Sequence, residues 1–264
     1  MIPYGRQTLS AEDIAGVVEV LKSDWLTQGP VAATFEDSLA QYCGAAGAVA
    51  VNSGTAALHV ACLALGLGAG DWLWTSPISF VASANCGRYC GAEVDFVDID
   101  PATANICPQA LEAKLRRAAA QKRLPKMLVA VHMAGNPCDM AVLRNLADSY
   151  GVRIVEDASH ALGAEYRGSK VGACRYSDIT VFSFHPVKIV TTGEGGMILT
   201  DDDELAVKLR MFRSHGITRG EFDPLSEREQ GADNENRYAT GPRRESAAGW
   251  YYEMQLLGFN YRIA

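Results

Sequence analysis

The amino-acid sequence predicts an α/β fold, with a mostly parallel seven-stranded sheet, one antiparallel strand and helices on both faces. Short apolar runs alternate with longer segments of helical periodicity, an order typical of parallel sheets covered by helices. Only the short, glycine-rich segment HPVKIVTTGEGG joins the last two apolar runs. It is too short for a helical crossover, so the final strand is predicted to be antiparallel to its predecessor.

Helices are predicted from start signals and from apolar spacing. Ser10 is a candidate N-cap for a first helix, an N-terminal arm whose apolar residues recur at helical spacing. A second amphipathic stretch is centred on Leu39. The other predicted helices are Thr55–Leu65, Phe80–Cys90, Pro108–Ala120, Met140–Tyr150 and Asp203–Ser214.

The predicted strands are short runs rich in branched and other apolar residues. They are Ala48–Val51, Trp72–Thr75, Val94–Val97, Met127–His132, Val152–Glu156, Ile179–Phe184 and Met197–Thr200.

Residues 219–249 differ from the rest in composition. They are polar, charged and poor in large apolar side chains, as in SEREQGADNENRYATGPRRES. Such a segment cannot bury much apolar surface, so it is predicted to be a mobile surface insertion. Order is expected to return over Trp250–Arg262, and residues 1–264 are interpreted as one large domain.

Composition argues against several classes of function. A net charge of −7 without a strong basic block gives little support to nucleic-acid binding. No apolar run approaches the about 20 residues of a membrane span, and the start MIPYGRQTLSAED lacks the features of a signal peptide. Seven scattered cysteines without CxxC pairs are typical of reduced thiols, which favours the cytoplasm.

No metal site is predicted. Cys86 and Cys90 could share a helix face, but no nearby histidine or carboxylate completes a tetrahedral set, so both are interpreted as core residues.

The first strand is followed by the sequence NSGT and then by a helix. Gly54 permits a tight turn. Thr55 and Ala56 are predicted to present free N–H groups at a helix N-terminus, where the helix dipole also favours an anion. This pattern suits a phosphate, although Ser-Gly-Thr before a helix is also an ordinary N-cap.

A carboxylate and a lysine follow two later strands. Asp157 follows the strand Val152–Glu156, where a buried carboxylate needs a partner such as a protonated ring nitrogen. Alternatively, it is a capping or turn aspartate. Lys188 follows Ile179–Phe184, and a lysine on the floor of a cleft can lose its proton and attack a carbonyl. The alternative is a solvated lysine. Ser183, at the same strand end, can donate to a phosphate oxygen.

Together these groups are the parts that pyridoxal 5′-phosphate (PLP) needs. The predicted cradle anchors the phosphate, and Asp157 keeps the pyridine nitrogen protonated. Lys188 carries the aldehyde as a Schiff base and later moves a proton between carbons. Phe80, which follows a strand in SPISFVAS, is the best candidate for an aromatic ring stacked on the cofactor.

The segments NSGTAALHVA, EDASHALGAEY, TVFSFHPVKIVTTGEGG and LGFNYR together resemble the DegT/DnrJ/EryC1/StrS family of sugar aminotransferases. The resemblance covers the chain apart from residues 219–249 and implies the type I PLP-dependent aminotransferase fold. The segments SPISFVASANC and CGAEVDFVDID are most similar to the pseudaminic-acid branch. That branch transfers an amino group from L-glutamate to C4 of a UDP-linked 4-keto-6-deoxy-N-acetylhexosamine.

The resemblance also implies roles for particular residues. It supports Lys188 as the Schiff-base lysine, Asp157 as the partner of the ring nitrogen and Phe80 as the stacking ring. His160 matches a position close to the ring, and Asn260, in LGFNYR, matches a residue that reaches the phosphate of the neighbouring subunit's cofactor. The family's residues near the phosphate correspond to Gly54, Thr55 and Ser183. A homodimer with shared active sites is therefore expected.

One departure from the family concerns length. Family members continue past the LGFNYR motif into a small C-terminal domain, so the resemblance implies that this sequence lacks that domain. Two alternatives to an aminotransferase stay open. One is a catalytically silent regulatory or binding protein on the same fold. The other is a PLP-dependent sugar dehydratase, although such members carry histidine where this sequence has Lys188.

Overall fold

The computed structural model describes residues 5–218 and 252–264. The helices of this part are α1 (Ala11–Lys22), α2 (Pro30–Cys43), α3 (Gly54–Ala64), α4 (Ala82–Tyr89), α5 (Pro108–Ala120), α6 (Met140–Tyr150) and α7 (Asp203–Arg213). The strands are β1 (Gly47–Val51), β2 (Trp72–Thr75), β3 (Glu93–Phe96), β4 (Met127–Val131), β5 (Arg153–Asp157), β6 (Glu165–Tyr166), β7 (Ser169–Lys170), β8 (Ile179–Ser183), β9 (Gly196–Thr200), β10 (Ile217–Thr218) and β11 (Glu253–Met254). The insertion predicted at 219–249 lies outside the described residues.

The main sheet has seven strands in the order β1-β9-β8-β5-β4-β2-β3. The pairs from β8 to β3 are all parallel. Strand β9 runs antiparallel to both of its neighbours, β1 and β8. The prediction of a mostly parallel sheet with one antiparallel strand is therefore confirmed. The carboxyl ends of the parallel strands share one edge of the sheet, and Gly196, which begins β9, pairs there with Ser183.

Helices cover both faces of the sheet, as expected. Residues of α3, α4 and α7 form one buried cluster with Val129, Val155 and Val181 of the central strands. On the other face, α5 and α6 pack against alternate residues such as Leu128 and Ile154, and α2 packs near β1 and β8. Strands with apolar residues on both sides are typical of a sheet buried between two helical layers.

Helix α1 forms where the sequence predicts it, with a capping box at its start. The N–H of Asp13 donates to Ser10 Oγ at 3.1 Å, and the N–H of Ser10 donates to the Asp13 carboxylate at 2.8 Å. Within the described chain, however, α1 has no buried residue. Its apolar residues Ile14, Val17 and Leu21 are all exposed. A helix this short gains little stability from its own hydrogen bonds.

A buried ion pair fastens the start of the sheet to two helices. Arg213 of α7 lies 2.6 Å from Glu36 of α2, and Glu36 also accepts from the N–H of Ala50 in β1 at 2.8 Å. Both charged side chains are nearly inaccessible to solvent. The contact holds α2 and α7 against β1, the strand that leads into α3.

Two helix starts differ from their predictions. The helix predicted from Phe80 begins at Ala82. The N–H groups of Ser83 and Ala84 donate to the carbonyl oxygens three residues back, those of Phe80 and Val81, so the chain makes a tight turn at Phe80 before the regular helix begins. The helix predicted from Thr55 begins at Gly54, with Ser53 as its N-cap. In the described ranges, 5–218 and 252–264, none of the helices combines the length and the apolar character needed to cross a bilayer.

Candidate active site

The predicted site residues gather at the carboxyl edge of the sheet. Gly54 follows β1, Asp157 ends β5, Ser183 ends β8, and Lys188 lies in the loop after β8. Open α/β sheets bind their ligands beyond this edge. Sheet topology thus brings together residues that are far apart in the sequence.

The start of α3 forms a narrow cradle against β8 and β9. A Cβ atom on Gly54 would lie 2.9 Å from the Cβ of Ser183, and one on Gly196 would lie 2.6 Å from the carbonyl oxygen of Ser53. Both contacts are too close for any residue with a side chain. Because the first-turn N–H groups of a helix have no acceptor within the helix, those of Gly54 and Thr55 are available to an anion.

The expectation of a free N–H at Ala56 is wrong. Ser53 caps α3, and its Oγ accepts from the N–H of Ala56 at 3.0 Å. The ordinary N-cap that the sequence left open is therefore present, and it coexists with the anion-binding geometry of Gly54 and Thr55. Ala56 itself is buried in the first turn of α3.

Asp157 is 5% exposed, and both of its carboxylate oxygens accept hydrogen bonds. Ser83 Oγ of α4 donates to Oδ2 at 2.6 Å. Ser159 donates to Oδ1 through its hydroxyl, at 2.7 Å, and through its N–H, at 3.2 Å. The contact with Ser159 is the turn interaction that the sequence left open as an alternative. It leaves acceptor capacity on Oδ2, because an ionised carboxylate has about four lone-pair sites.

Lys188 and His160 lie within electrostatic reach of Asp157. Burial lowers the pKa of Lys188, and the Asp157 carboxylate opposes that effect. Burial also lowers the pKa of His160, and the charge of Lys188 lowers it further, against an opposing effect of Asp157. A lysine with a lowered pKa is a better nucleophile at neutral pH.

Phe80 and Asn260 are both exposed. Phe80 is 72% exposed, on the turn that leads into α4. Asn260 is exposed and forms a β-bridge with Ser214, and its carbonyl oxygen lies 3.5 Å from Asn52 Nδ2, one residue before the N-cap of α3. Both residues are therefore open to solvent in this chain.

Sequence reasoning missed the polar contacts of β5 on both faces of the sheet. Ser83 and Ser159 contact the carboxylate of Asp157, whereas Glu156, the preceding residue of β5, points to the opposite face and pairs with His132, their Oε2 and Nε2 atoms being 2.7 Å apart. The N–H of His132 also donates to the carbonyl oxygen of Asp157 at 3.1 Å. The only signal in the sequence was the position of His132 and Glu156 at the ends of two apolar runs.

Hydrogen bonds on that opposite face hold Glu156 in its ionised form. Burial alone would raise its pKa, but hydrogen bonds from His132, Ser177 and Thr180 hold the pKa below the usual value. His132 Nδ1 accepts from the N–H of Cys138 at 3.2 Å, which assigns the ring proton to Nε2, facing Glu156.

The donor set fits a ligand that carries a phosphate, a basic ring nitrogen and a carbonyl. The helix start suits the phosphate, the free acceptor position on Asp157 suits a protonated ring nitrogen, and Lys188 suits the carbonyl. In the part of the chain that the structure describes, no three histidine, cysteine or acidic side chains are grouped so as to hold a metal ion.

Comparison with known proteins finds relatives that match almost the whole of this chain. SpsC of Bacillus subtilis, a spore coat polysaccharide biosynthesis protein, is 39% identical over 262 residues, which are 99% of this chain and 60% of SpsC. The uncharacterised protein MJ1066 of Methanocaldococcus jannaschii is 37% identical over 99% of this chain and 61% of its own length. This chain therefore spans about three fifths of the length of these relatives.

Solved structures agree with the sequence relatives. PseC of Helicobacter pylori, an aminotransferase involved in the biosynthesis of pseudoaminic acid, superposes with a TM-score of 0.82 at 32% identity, over 99% of this chain and 61% of PseC. The aminotransferase Spr1654 of Streptococcus pneumoniae, in its PMP form, gives a TM-score of 0.80 at 27% identity, over 99% of this chain and 64% of its own. The expected type I PLP-dependent aminotransferase fold is confirmed. The DegT/DnrJ/EryC1/StrS aminotransferase family model matches residues 7–264, and this chain belongs to that family.

Proposed function

We propose that this chain is the cofactor-binding part of a PLP-dependent nucleotide-sugar aminotransferase. The observation that carries the proposal is the arrangement at the carboxyl edge of the sheet. A buried carboxylate with a free acceptor position, Asp157, lies within electrostatic reach of Lys188, whose pKa is lowered by burial. The helix-start cradle formed by Gly54 and Ser183 lies at the same edge.

Lys188 and Asp157 are the proposed catalytic residues. Bound PLP supplies a carbonyl that takes up an amino group and a ring that withdraws electrons from the carbon losing its proton. Lys188 holds the cofactor covalently through its Nζ and, once released, moves the proton between carbons as a base. Asp157 keeps a proton on the ring nitrogen because its buried carboxylate is a strong acceptor there.

The remaining site residues are proposed to bind and orient the cofactor. The N–H groups of Gly54 and Thr55 and the hydroxyl of Ser183 bind the phosphate, and Ala56 contributes through the capped helix start rather than through a free N–H. Phe80 stacks on the ring, and His160 lies beside it.

We propose a homodimer in which each site is completed by the partner. Three features support it. The apolar face of α1 is uncovered, the candidate stacking residue Phe80 is 72% exposed, and Asn260 is exposed beside the cradle. Asn260 is proposed to reach the phosphate bound by the partner subunit.

We propose L-glutamate as the amino donor and C4 of a UDP-linked 4-keto-6-deoxy-N-acetylhexosamine as the acceptor. The motifs shared with the pseudaminic-acid branch support this choice, as does the likeness to PseC. The seven cysteines are free thiols, which is compatible with a reducing compartment, and we propose that the reaction takes place in the cytoplasm.

A panel of UDP-linked 4-keto sugars, assayed with the full-length protein, PLP and several amino acids, tests the proposal. We expect amination at C4 with L-glutamate. Mass spectrometry of the product detects the amination, and NMR identifies the carbon that carries the new amino group. Amination at another carbon would correct the substrate while retaining the reaction class. A protein that takes up no PLP, or that binds sugar without exchanging an amino group, would favour the silent binding protein. Loss of a sugar hydroxyl without amination would favour the dehydratase.

A further inference from the structure

Ser83 makes a short contact with the carboxylate of the candidate site. Its side chain, on the first turn of α4, is completely buried, and its Oγ lies 2.6 Å from Asp157 Oδ2. This distance is typical of a hydroxyl that donates to an ionised carboxylate, which is among the stronger hydrogen bonds in proteins. The contact joins α4 to the end of β5.

The direction of the hydrogen bonds follows from counting protons. A serine hydroxyl has one proton, and that of Ser83 is committed to Asp157. Ser79 Oγ lies 2.8 Å from Ser83 Oγ, so Ser79 must be the donor in that contact. The result is a directed chain from Ser79 to Ser83 to Asp157, in which each bond polarises the next.

The chain links two groups that must be placed relative to each other. Ser79 immediately precedes Phe80, on the turn that leads into α4. On the other oxygen of Asp157, Ser159 occupies Oδ1 with two donors. The carboxylate is thus held on both oxygens, and the capacity that remains is on Oδ2, the oxygen that Ser83 orients.

We propose that Ser83 is a positioning residue, which aims Asp157 Oδ2 at the ring nitrogen of the cofactor and, through Ser79, ties that carboxylate to the loop carrying Phe80. The inference rests on the proposed function, since it requires a cofactor with a basic ring nitrogen. Loss of the Ser83 hydroxyl removes a hydrogen-bond donor that orients and stabilises the partner of the ring nitrogen, so cofactor binding should weaken first at acid pH.

Equilibrium binding of PLP to the cofactor-free protein, followed by absorbance as a function of pH, tests this role. PLP affinity is expected to fall at acid pH, and we call this part of the profile its acid limb. In Ser83→Ala we expect the acid limb to move to higher pH by about one unit, which is about a tenfold loss of affinity at a given pH on that limb. Ser79→Ala should shift the limb in the same direction by less, because it removes only the polarising donor. Lys188 and His160 also titrate near Asp157, but they are the same in every variant, so the difference isolates the serine chain.

Two controls separate positioning from packing. Ser83→Thr keeps the hydroxyl and should retain the wild-type limb even if the added methyl group lowers the melting temperature. Thr200→Val removes a different buried hydroxyl, which donates to the carbonyl oxygen of Asp178 at 2.9 Å, and should leave the limb unchanged. A wild-type limb in Ser83→Ala, or an equal shift in Ser83→Thr or Thr200→Val, would overturn the role of Ser83 while leaving the proposed function intact. A wild-type protein that binds no PLP would overturn both.

Discussion

Gly54 and Ser183 approach each other so closely that a Cβ atom on Gly54 would lie 2.9 Å from the Cβ of Ser183. This contact sets the distance between the start of α3 and the end of β8. Because the N–H donors of α3 and the hydroxyl of Ser183 are both proposed to bind the phosphate, the spacing between them determines whether they can bind one group together.

Replacing Gly54 by alanine should disturb this cradle. Since the neighbouring atoms belong to a packed strand end, we expect Gly54→Ala to destabilise the protein by about 1–3 kcal/mol and to weaken PLP binding. Urea unfolding and PLP titration measure the two effects. Gly16→Ala on the exposed α1, where a Cβ atom meets nothing within 4 Å, is the matched control. Unchanged PLP affinity in Gly54→Ala would contradict the assignment of the cradle.

Lys188→Ala should abolish transamination and covalent attachment of the cofactor, because no other amine replaces Nζ at that position. Borohydride reduction in the presence of PLP, followed by peptide mass spectrometry, detects the attachment. The control Lys208→Ala changes an exposed lysine of α7, and it should take up covalent PLP to the same extent as the wild type. Covalent PLP at wild-type level in Lys188→Ala, on any peptide, would show that another residue holds the cofactor.

Asp157→Asn should still bind PLP through the phosphate cradle, with reduced affinity because the ring nitrogen loses its charged partner, but should lose most of its turnover, by about 100-fold or more if the ring nitrogen must stay protonated. An amide cannot hold that proton, whereas the phosphate cradle is unaffected. Steady-state kinetics and PLP titration on the same preparation separate the two properties. Near-normal turnover would mean that Asp157 acts only as the turn residue that caps Ser159.

Glu156→Gln should destabilise the protein most strongly at neutral pH. The ionised carboxylate is buried and accepts hydrogen bonds from His132, Ser177 and Thr180, and losing a hydrogen bond to a charged group costs about 1.5–3 kcal/mol. Because the pKa of Glu156 is lowered on folding, its contribution is present above the ordinary value of 4.5 and is lost as the pH falls through the folded-state pKa. Urea unfolding should therefore show a wild-type advantage at pH 7 that narrows toward acid pH. A gap independent of pH would contradict the ionised state of the buried Glu156, and the exposed Glu19→Gln serves as control.

The chain should form a two-fold dimer, with α1 at its interface. Its uncovered face, with Val17 at 61% exposure, is suited to burial against a second copy. Sedimentation velocity at several concentrations should detect the dimer, and Val17→Lys should weaken it, whereas Glu19→Gln should not. A clean monomer at high concentration that still holds PLP at full occupancy would contradict both the shared site and the role of Asn260.

Several elements could be predicted at their observed bounds. Helices α5 and α6 carry regular apolar spacing, α5 begins with Pro108 and α6 is followed by Gly151 in the left-handed conformation, so both ends have local signals. The start of α4 could not be placed, because the tight turn at Phe80 contains no glycine, proline or asparagine to mark it in the sequence. The expectation of a free N–H at Ala56 failed because the residue types around Ser53 suit both a helix cap and an anion-binding loop. In the structure Ser53 is the cap and accepts from the N–H of Ala56.

The sequence by itself determined the strands, most of the helices and the residues that follow each strand, since periodicity and strand-end chemistry are local properties of the chain. It also predicted the antiparallel β9, from the length of one connection. Only the tertiary structure decided the strand order, and with it the meeting of Ser83 and Asp157, which are 74 residues apart in the sequence. The pairing of His132 with Glu156 was likewise decided by the adjacency of β4 and β5. Such contacts have no local signal, because which strands become neighbours depends on the packing of both helical layers across the whole sheet.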